Sequence, residues 1–425
     1  MGKLEKYSSY KDSGIEWLGE IPYNWEIKEL KYALKFTTGG TPSSGVENYY
    51  NGEEPWVTIA DMTGRYIEKS HFISKKAVRE CNMQIVPKNS LLYSFKLSVG
   101  QVAFTKEEIY TNEAIASFYP SKNIDLNFWY YVLPIFLIKN ANTNIYGAFL
   151  LNQDLIKNAL IIFPPKQEQT KIASFLDEKT AQIDEVISQK EKLIELLKER
   201  KQIVINDAVT KGLDKDIEFV NSGVEWIGEI PKHWDISKLG TSLKPISIKN
   251  RADLPLLSVT REQGVILRDV DDKESNHNFI PDDLSGYKMV EKGQFAMNKM
   301  KAWQGSYGIS DYTGIVSPAY FIFELNGIEP TFFHKAIRSS VYVPFFIKAS
   351  DGVRIGQWDL SKSRMKEIPF YIPPKDEQLQ IVEYIENQTS KIDKAIELQQ
   401  NYIAKLKEYK ASLIDSVVTG KVRVA

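Results

Sequence analysis

The sequence predicts an α+β fold with two mixed, β-rich domains in tandem, each followed by a long helix, and with the two helices paired as an antiparallel coiled coil of pseudo-two-fold symmetry. Three observations predict it. A framework repeats at a distance of 209 residues, strand-like runs fill the middle of each copy, and each copy closes with a long stretch without proline. A chain of 425 residues has room for about two to four domains.

The repeat is clearest at the two ends of each copy. SGIEWLGEIPYNWEIKEL at 13–30 returns as SGVEWIGEIPKHWDISKL at 222–239, and IIFPPKQEQTKIASFLDEKTAQID at 161–184 returns as FYIPPKDEQLQIVEYIENQTSKID at 370–393. The middles are less alike. We expect a common framework with unlike centres if both copies do the same kind of work on two different targets, and a purely structural duplication is the alternative.

Strand-like runs bounded by glycine and proline predict the β-rich domains. They are PWVTIA, SLLYSF and QVAFT in the first copy and LPLLSVT, GQFAMN and AYFIFEL in the second. The predicted domains are residues 1–163 and 214–372, and the predicted helical regions are residues 164–213 and 373–425.

Each helical region opens at a Pro-Pro pair and stops at a glycine, Gly212 or Gly420. Apolar residues recur at alternating steps of three and four, the spacing of a coiled-coil seam. The apolar seam positions are Leu176, Ile183, Ile187, Ile194, Leu197 and Val204 in the first helix, and Ile385, Ile392, Ile396, Ile403, Leu406 and Leu413 in the second.

Polar residues stand at matching seam positions, and we expect them to pair with each other: Thr180 with Thr389, Lys190 with Gln399, and Lys201 with Lys410. An antiparallel pairing lets the short link after the first helix lead directly into the second domain. The helices then form a rod of roughly 65 Å that separates the two domains. An amphipathic helix packed on its own domain is the alternative.

Composition restricts the classes of function. The 54 Lys and Arg balance 55 Asp and Glu, so net charge argues mildly against a nucleic-acid partner unless basic groups gather on one surface. Cys81 is the single cysteine, and four scattered histidines build no zinc cluster, so we expect a reducing, cytoplasmic location. The start MGKLEKYSSYKD has no apolar core, and the longest apolar stretch, near 128–138, is about half a membrane span, so we expect no membrane segment.

A search for catalytic motifs finds none. Neither GxxxxGKS, GxxxxGKT nor GxGxxG occurs, and the two Pro-Pro pairs lack the polar and aromatic neighbours of an adenine methyltransferase. Pro281-Asp282 has no following Glu-x-Lys of a metal-dependent nuclease. We therefore predict no catalytic and no metal-binding residue.

Matching loops in the two middles are the best candidates for DNA contact. The loop at 96–101 is aligned with the loop at 299–307 of the second copy, and Gly100 corresponds to Gly305. Lysine donates to guanine and glutamine pairs with adenine, while glycine lets the backbone approach phosphate. An ordinary solvated loop is the alternative for any single residue. The candidates are Thr41, Ser43, Thr58, Asp61, Arg65, Lys96, Ser98 and Gln101 in the first copy, and Thr260, Arg261, Lys299, Lys301, Gln304 and Tyr307 in the second.

The repeated tryptophans have a different interpretation. Trp17, Trp25, Trp226 and Trp234 stand in the part of the framework that is the same in both copies. Identical base readers would not serve different targets. We expect them to anchor the core and interfaces.

The duplicated SGIEWLGEIPYNW and SGVEWIGEIPKHW, each followed by a variable middle and a PPKQEQ or PPKDEQ helix, resemble the specificity subunit of a type I restriction-modification system, a host-defence and DNA-methylation complex. The resemblance covers essentially the whole chain. It implies two target recognition domains, each reading one half of a bipartite double-stranded DNA target, on a non-catalytic scaffold. It also implies two methyltransferase subunits that bind S-adenosylmethionine, and restriction (helicase-nuclease) subunits that bind ATP and Mg, with no cofactor on this chain.

Two other classes of function remain open from the residues. One is an autonomous nuclease or methyltransferase, which the absence of catalytic motifs disfavours. The other is a duplicated protein-protein adaptor without a DNA role, which the near-neutral charge would suit.

Overall fold

The duplicated sequence folds into two copies of one arrangement. The computed structural model describes residues 5–96, 98–143, 147, 149–269, 280–352 and 358–424. The first unit comprises Met1–Gln189 and Tyr402–Ala425, and the second unit is Lys190–Asn401. Each unit contains one β-rich region together with parts of both long helices.

The first unit is built from short strands: β1 Tyr10–Asp12, β2 Glu20–Pro22, β3 Glu26–Glu29, β4 Phe36–Thr38, β5 Glu54–Val57, β6 His71–Ile73, β7 Leu91–Ser94, β8 Val102–Phe104, β9 Tyr110–Thr111, β10 Ile115–Phe118, β11 Asn142–Thr143, β12 Phe149–Leu150 and β13 Leu160–Phe163. Its helices are α1 Leu30–Ala33, α2 Lys75–Glu80, α3 Leu126–Lys139, α4 Gln153–Lys157 and the first part of α5 Lys166–Lys211. Short 3-10 turns occur at Glu47–Tyr49 and Ile59–Asp61.

The second unit has the strands β14 Phe219–Asn221, β15 Glu229–Pro231, β16 Asp235–Lys238, β17 Leu243–Ile246, β18 Leu257–Thr260, β19 Gly264–Leu267, β20 Lys288–Val290, β21 Phe295–Asn298, β22 Tyr307–Ile309, β23 Gly314–Val316, β24 Tyr320–Leu325, β25 Ser350–Asp351, β26 Asp359–Leu360 and β27 Pro369–Ile372. Its helices are α6 Leu239–Ser242, α7 Pro330–Ile337, α8 Val343–Lys348, α9 Lys362–Lys366 and α10 Lys375–Val418, with a 3-10 turn at Ala302–Gln304. The end of α10 belongs to the first unit.

Both units contain a four-stranded antiparallel sheet with the same strand order. It is β4-β10-β7-β8 in the first unit and β17-β24-β21-β22 in the second. The turn after the third of these strands contains Gly100 or Gly305, whose φ angles are 101° and 92°. Glycine adopts this conformation at the lowest steric cost. The weakly similar middles of the two copies therefore share one backbone plan.

The framework segments bring the two ends of each copy together. The strand after the first tryptophan motif pairs with the strand before Pro-Pro, with Ile27 opposite Ile162 and Ile236 opposite Tyr371. Trp25 is completely buried. Each long helix therefore starts where its own β-rich region closes.

A repeated glutamine fixes the start of each long helix. Gln169 donates from Nε2 to the Pro164 carbonyl at 2.9 Å and accepts from the Asp125 N–H at 3.2 Å. Gln378 makes the same two kinds of bond, to the Pro373 carbonyl and from the Glu329 N–H. The last glutamine of PPKQEQ and of PPKDEQ thus binds main-chain groups next to the helix start.

The end of each helix packs against a framework tryptophan. Gly212 follows α5 with φ 70°, and a Cβ there would lie 3.2 Å from Trp234 and 2.7 Å from Glu377 Oε1. Gly420 follows α10 with φ 75°, and a Cβ there would lie 3.1 Å from Trp25. The glycines are needed for the turn and for the close contact.

The two long helices pair in antiparallel orientation. In the second unit Lys190 Nζ donates to Gln399 Oε1 at 2.8 Å, and Lys201 Nζ lies 2.7 Å from Asp393. In the first unit Lys410 Nζ lies 2.6 Å from Asp184. The expected contact between Lys201 and Lys410 is wrong, because each lysine instead pairs with an aspartate of opposite charge. The α+β prediction with two paired helices is confirmed.

Side chains between the helices are buried or half-buried at the seam positions. Ile183, Ile187, Ile194 and Val204 of α5 are each under 9% exposed, whereas Leu197 is half-buried. In α10 Ile385, Ile403 and Leu413 are buried, and Ile392, Ile396 and Leu406 are half-buried. Thr180 does not meet Thr389: it lies 3.3 Å from the Tyr131 hydroxyl.

The apolar stretch near 128–138 forms most of α3. Trp129, Leu133 and Phe136 are completely buried, and α3 packs against β7 and β8 of the four-stranded sheet. Within the described ranges, no helix has the length and apolar character that crossing a bilayer requires.

Candidate nucleic-acid interface

Loops of the first unit gather at one end of its four-stranded sheet. Ser94, the last residue of β7, lies opposite Ile115, and Thr38, the last residue of β4, lies opposite Ala116. The turn after β7 and the loop after β4 therefore leave the sheet at the same edge. The segment after β5 joins them, because Asn112 N donates to the Val57 carbonyl at 3.0 Å. This edge presents the candidate residues Thr41, Ser43, Thr58, Lys96, Ser98 and Gln101.

An acid connects two of these loops. Thr41 Oγ1 donates a hydrogen bond to the Glu113 carboxylate. That bond, together with the charge of Lys96, holds the pKa of Glu113 below its usual value. Lys96, Ser98 and Gln101 are exposed, and Leu97 lies outside the described residues. The turn therefore offers a cationic and an amide side chain to solvent.

Thr58 and Asp61 use their polar atoms within their own turn. The Thr58 N–H and hydroxyl both lie 2.8 Å from Asp61 Oδ2, and the Asp61 side chain is 13% exposed. His71 Nε2 lies 3.4 Å from Asp61 Oδ1. These two residues shape the loop and have little polar surface left for a base.

Arg65 lies at the opposite end of the sheet. Its carbonyl accepts from the N–H of Phe104, at the far end of β8. Its guanidinium makes a bidentate ion pair with Asp177 of α5, at 2.6 and 3.0 Å, and lies 4.8 Å from the Tyr130 ring centroid. This position does not support the predicted DNA contact. Arg65 instead joins the β-rich region to helix α5.

Two loops of the second unit lie side by side. The turn at 299–306 leaves β21 at the edge that matches the turn at 95–101, and the hairpin turn between β18 and β19 lies next to it through bonds to Arg338. Arg261 and Lys301 are exposed there, and Gln304 is half-buried. Lys299 Nζ lies 2.9 Å from Asp359, and Thr260 Oγ1 is bonded inside the hairpin turn. Among the described residues, Arg261 and Lys301 are therefore the exposed cationic candidates at this edge.

The structure corrects the prediction that Tyr307 contacts DNA. It is completely buried, and its ring centroid lies 4.4 Å from that of Phe346 and 6.0 Å from that of Phe295. Burial raises the pKa of its hydroxyl. Its ring belongs to the core, so Tyr307 is not a DNA-contact residue.

A groove beside the hairpin turn is balanced in charge. It has a volume of about 1140 Å³ and is lined by four basic and four acidic side chains, with Arg261 and Lys198 among the basic ones and Glu262 and Asp393 among the acidic ones. Equal numbers of both charges give no net attraction for phosphate. Within the described ranges, no group of three or more His, Cys, Asp or Glu side chains is placed to hold a metal ion.

The structure adds a repeated cluster that the sequence comparison missed. Trp17 contacts the ring of Phe136 with Lys139 above it, and Trp226 contacts Phe345 with Lys348 above it. All three positions recur at the offset of 209 residues. That shared offset was the signal that could have found Lys139 and Lys348. The tryptophans of these clusters are partly exposed, unlike Trp25 and Trp234.

Known proteins are similar to this chain in sequence and in fold. The family model described as "Type I restriction modification DNA specificity domain" matches residues 22–196. The type I restriction enzyme MjaIX specificity subunit of Methanocaldococcus jannaschii is 30% identical over 258 residues, which are 59% of this chain and 58% of that protein. The MjaVIII specificity subunit of the same organism is 24% identical over 428 residues, which are 95% of this chain and 94% of that protein.

Solved structures match over nearly the whole chain. The HsdS subunit from Thermoanaerobacter tengcongensis superposes with a TM-score of 0.55 and 14% identity, covering 95% of this chain and 98% of that one. A chain from a structure of complex assembly and conformational transition of the type I R-M system gives a TM-score of 0.68 and 12% identity, covering 94% and 98%. At this identity the likeness concerns the fold.

Proposed function

Since the chain is similar to type I restriction enzyme specificity subunits along most of its length, we propose that it is the DNA-reading, non-catalytic subunit of such a complex. Each unit reads one half of a bipartite double-stranded target. The long helices set the separation of the two half-sites. Methylation and cleavage are carried out by other subunits.

The observation that carries this proposal is the shared sheet with unlike loops at one edge. Both units have the same four-strand order, yet the exposed candidate residues at the matching turn are Lys96, Ser98 and Gln101 in one and Lys301 in the other. A common scaffold with different polar loops is suited to reading different base sequences. Glycines with positive φ keep the turn geometry the same in both.

The repeated framework supports equivalent partners. The Trp17 and Trp226 clusters are built from the same residue types at the same offset, so each unit presents the same surface chemistry. Two identical methyltransferase subunits would each bind one copy. These subunits would bind S-adenosylmethionine, and the restriction subunits would bind ATP and Mg, so the chain itself holds no cofactor.

The near-neutral charge makes a specific prediction for the isolated chain. With 54 basic and 55 acidic side chains, few counterions are released when the chain alone meets DNA. It should bind DNA weakly alone and more tightly and specifically with its methyltransferase partner. A gel-shift assay with and without the partner measures this, and tight specific binding by the lone chain would contradict it.

Methylome sequencing of a host that carries the gene and of the same host after its deletion tests the proposed function. The expected result is one bipartite methylated motif that disappears with the gene and returns on complementation. An unchanged methylome in a host whose methyltransferase remains active would overturn the proposal. It would favour the adaptor without a DNA role.

A further inference from the structure

Arg338 is a half-buried arginine, and within the described chain its hydrogen bonds all go to main-chain carbonyls. It follows α7 directly. Nη2 donates to the carbonyls of Arg261 and Glu262 at 2.7 and 2.8 Å, and Nη1 donates to those of Tyr307 and Gly305 at 2.5 and 3.5 Å. Burial lowers the pKa of Arg338.

These four carbonyls belong to two different loops. Arg261 and Glu262 form the hairpin turn between β18 and β19, whereas Gly305 lies in the turn between β21 and β22 and Tyr307 is the first residue of β22. One planar guanidinium therefore fixes the distance between the two loops. The flat, forked group reaches acceptors on both sides at once, which a lysine ammonium does not do.

The surrounding residues are shaped for this contact. Gly264 has φ 76°, and a Cβ there would lie 3.4 Å from Arg338 Nη1. A Cβ on Gly308 would lie 3.2 Å from His334 Cε1 and 3.4 Å from Gly264 Cα. His334 Nδ1 in turn accepts from the Ile309 N–H at 3.1 Å. Gly264 thus supplies the positive φ of the hairpin turn beside Arg338, and Gly308 leaves room for His334.

Two exposed cationic candidates of the second unit lie on these same loops. Arg261 is part of the hairpin turn, and Lys301 precedes Gly305 in the other turn. Arg338 bonds the main chain of Arg261 and also that of Gly305 and Tyr307, which follow Lys301 in the chain. Reading adjacent bases requires such side chains to be held close to their productive geometry.

We propose that Arg338 is the positioning residue of the second half-site: it sets which bases the second unit accepts without contacting DNA. The inference rests on the proposed function, because it assumes that these loops read bases. The loss of the clamp should relax base choice in the second half-site and leave the first unchanged.

The test uses the complete complex in its host with the variants R338K and R338Q. With either variant, methylation at sites that carry one mismatch in the second half-site should rise about tenfold relative to the full site. Discrimination in the first half-site should stay at the wild-type level. R364Q is the matched control, because Arg364 is an arginine of the same unit that pairs with Asp351 at the surface.

Two results would overturn the inference. One is a motif unchanged in both halves. The other is a uniform fall in methylation at an unchanged motif, which would show that Arg338 only stabilises the fold. Wild-type discrimination in R338K would also contradict the inference, because it would show that the planar guanidinium is not required.

A second measurement separates this inference from the proposed function and covers a variant complex that does not assemble. Amide hydrogen exchange of the purified full chain should be faster in R338K at 260–264 and 301–307 and unchanged at 94–101. Equal exchange in R338K and the wild type would overturn the clamp whatever the chain binds. If the wild-type host shows no bipartite motif, the proposed function is overturned. The exchange result then still tests whether Arg338 holds the two loops together.

Discussion

Lys190 Nζ lies 2.8 Å from Gln399 Oε1, and these two residues occupy the same position in the two copies of the repeat. In an antiparallel pair of equal helices, only a residue at the midpoint faces its own counterpart. Lys201 and Lys410 therefore contact Asp393 and Asp184, which are themselves counterparts. The Lys190–Gln399 contact marks the centre of the pairing.

This midpoint is where the helices should be lengthened to test whether they set the spacing of the half-sites. One heptad inserted after Lys190 and one after Gln399 keeps the seam and adds about 10 Å, close to three base pairs. We expect both half-site sequences to persist while the spacer between them grows, as measured by methylome sequencing. The extra length also turns one unit around the DNA by roughly a third of a turn, so the level of methylation should fall.

The control is a heptad inserted in one helix only, which destroys the register and should abolish methylation. A double-insertion variant that methylates at the original spacer would contradict the prediction. The methyltransferase subunits would then set the distance.

Arg65 should stabilise the fold and leave DNA binding unchanged. Its ion pair with Asp177 is partly exposed, at 27% and 38%, so we expect Arg65→Ala to lower the free energy of unfolding by about 1 kcal/mol. Asp177→Asn should cost a similar amount, and the double variant little more than either. Urea denaturation measures the cycle. If Arg65 instead contacts DNA, only R65A will weaken DNA binding by the complex.

Lys96 and Lys301 should each act on one half-site. Both are exposed at matching turns of the two sheets. Lys96→Ala or Lys301→Ala should cost about 1–3 kcal/mol of discrimination and relax one half of the target. Competition binding with half-site variants, using the methyltransferase complex, measures this. Equal weakening on every sequence would assign that lysine to phosphate.

His334 should make the second unit less stable in acid. Burial lowers its pKa from 6.5 to about 4, so the folded state holds it neutral. Between these values the unfolded state binds more protons, and stability is complete above pH 6.5 and is lost as the pH falls toward 4. We expect a loss of up to about 2 kcal/mol between pH 7 and pH 5.

Denaturation of H334Q measures the contribution of His334, and this variant should show a smaller loss over that range. H71Q, which changes a histidine exposed at 60%, is the control. The same pH dependence in H334Q and the wild type would assign the effect to other groups.

Gly420 should tolerate alanine poorly. Its φ is 75°, and a Cβ would lie 2.4 Å from Pro22 Cδ, so backbone strain and a clash add together. We expect Gly420→Ala to lower the free energy of unfolding by about 3 kcal/mol. Gly14→Ala is the matched control, with φ 71° and nothing within 4 Å, and it should cost about 1 kcal/mol. Equal losses in thermal denaturation would show that Pro22 moves freely.

The sequence by itself determined the duplication, the two long helices and their seam. Repeats and heptads are patterns of local spacing, and a helix buries whatever falls on one face every three or four residues. Gly212 and Gly420 were predicted as stops for the same reason, because left-handed backbone favours glycine. The sequence alignment of the turns at Gly100 and Gly305 depends on the shared glycine alone.

Only the tertiary structure decided which loop residues share a surface. Arg65 and Lys96 both stand in polar loops, yet strand register sends one to α5 and the other to the opposite edge of the sheet. Tyr307 looked like a loop residue and is core, because β22 begins at that position. Arg338 had no counterpart in the repeat, and its role depends on carbonyls that lie 31 to 77 residues away in the chain. Contacts between such distant segments are fixed by packing and strand pairing, which local spacing does not encode.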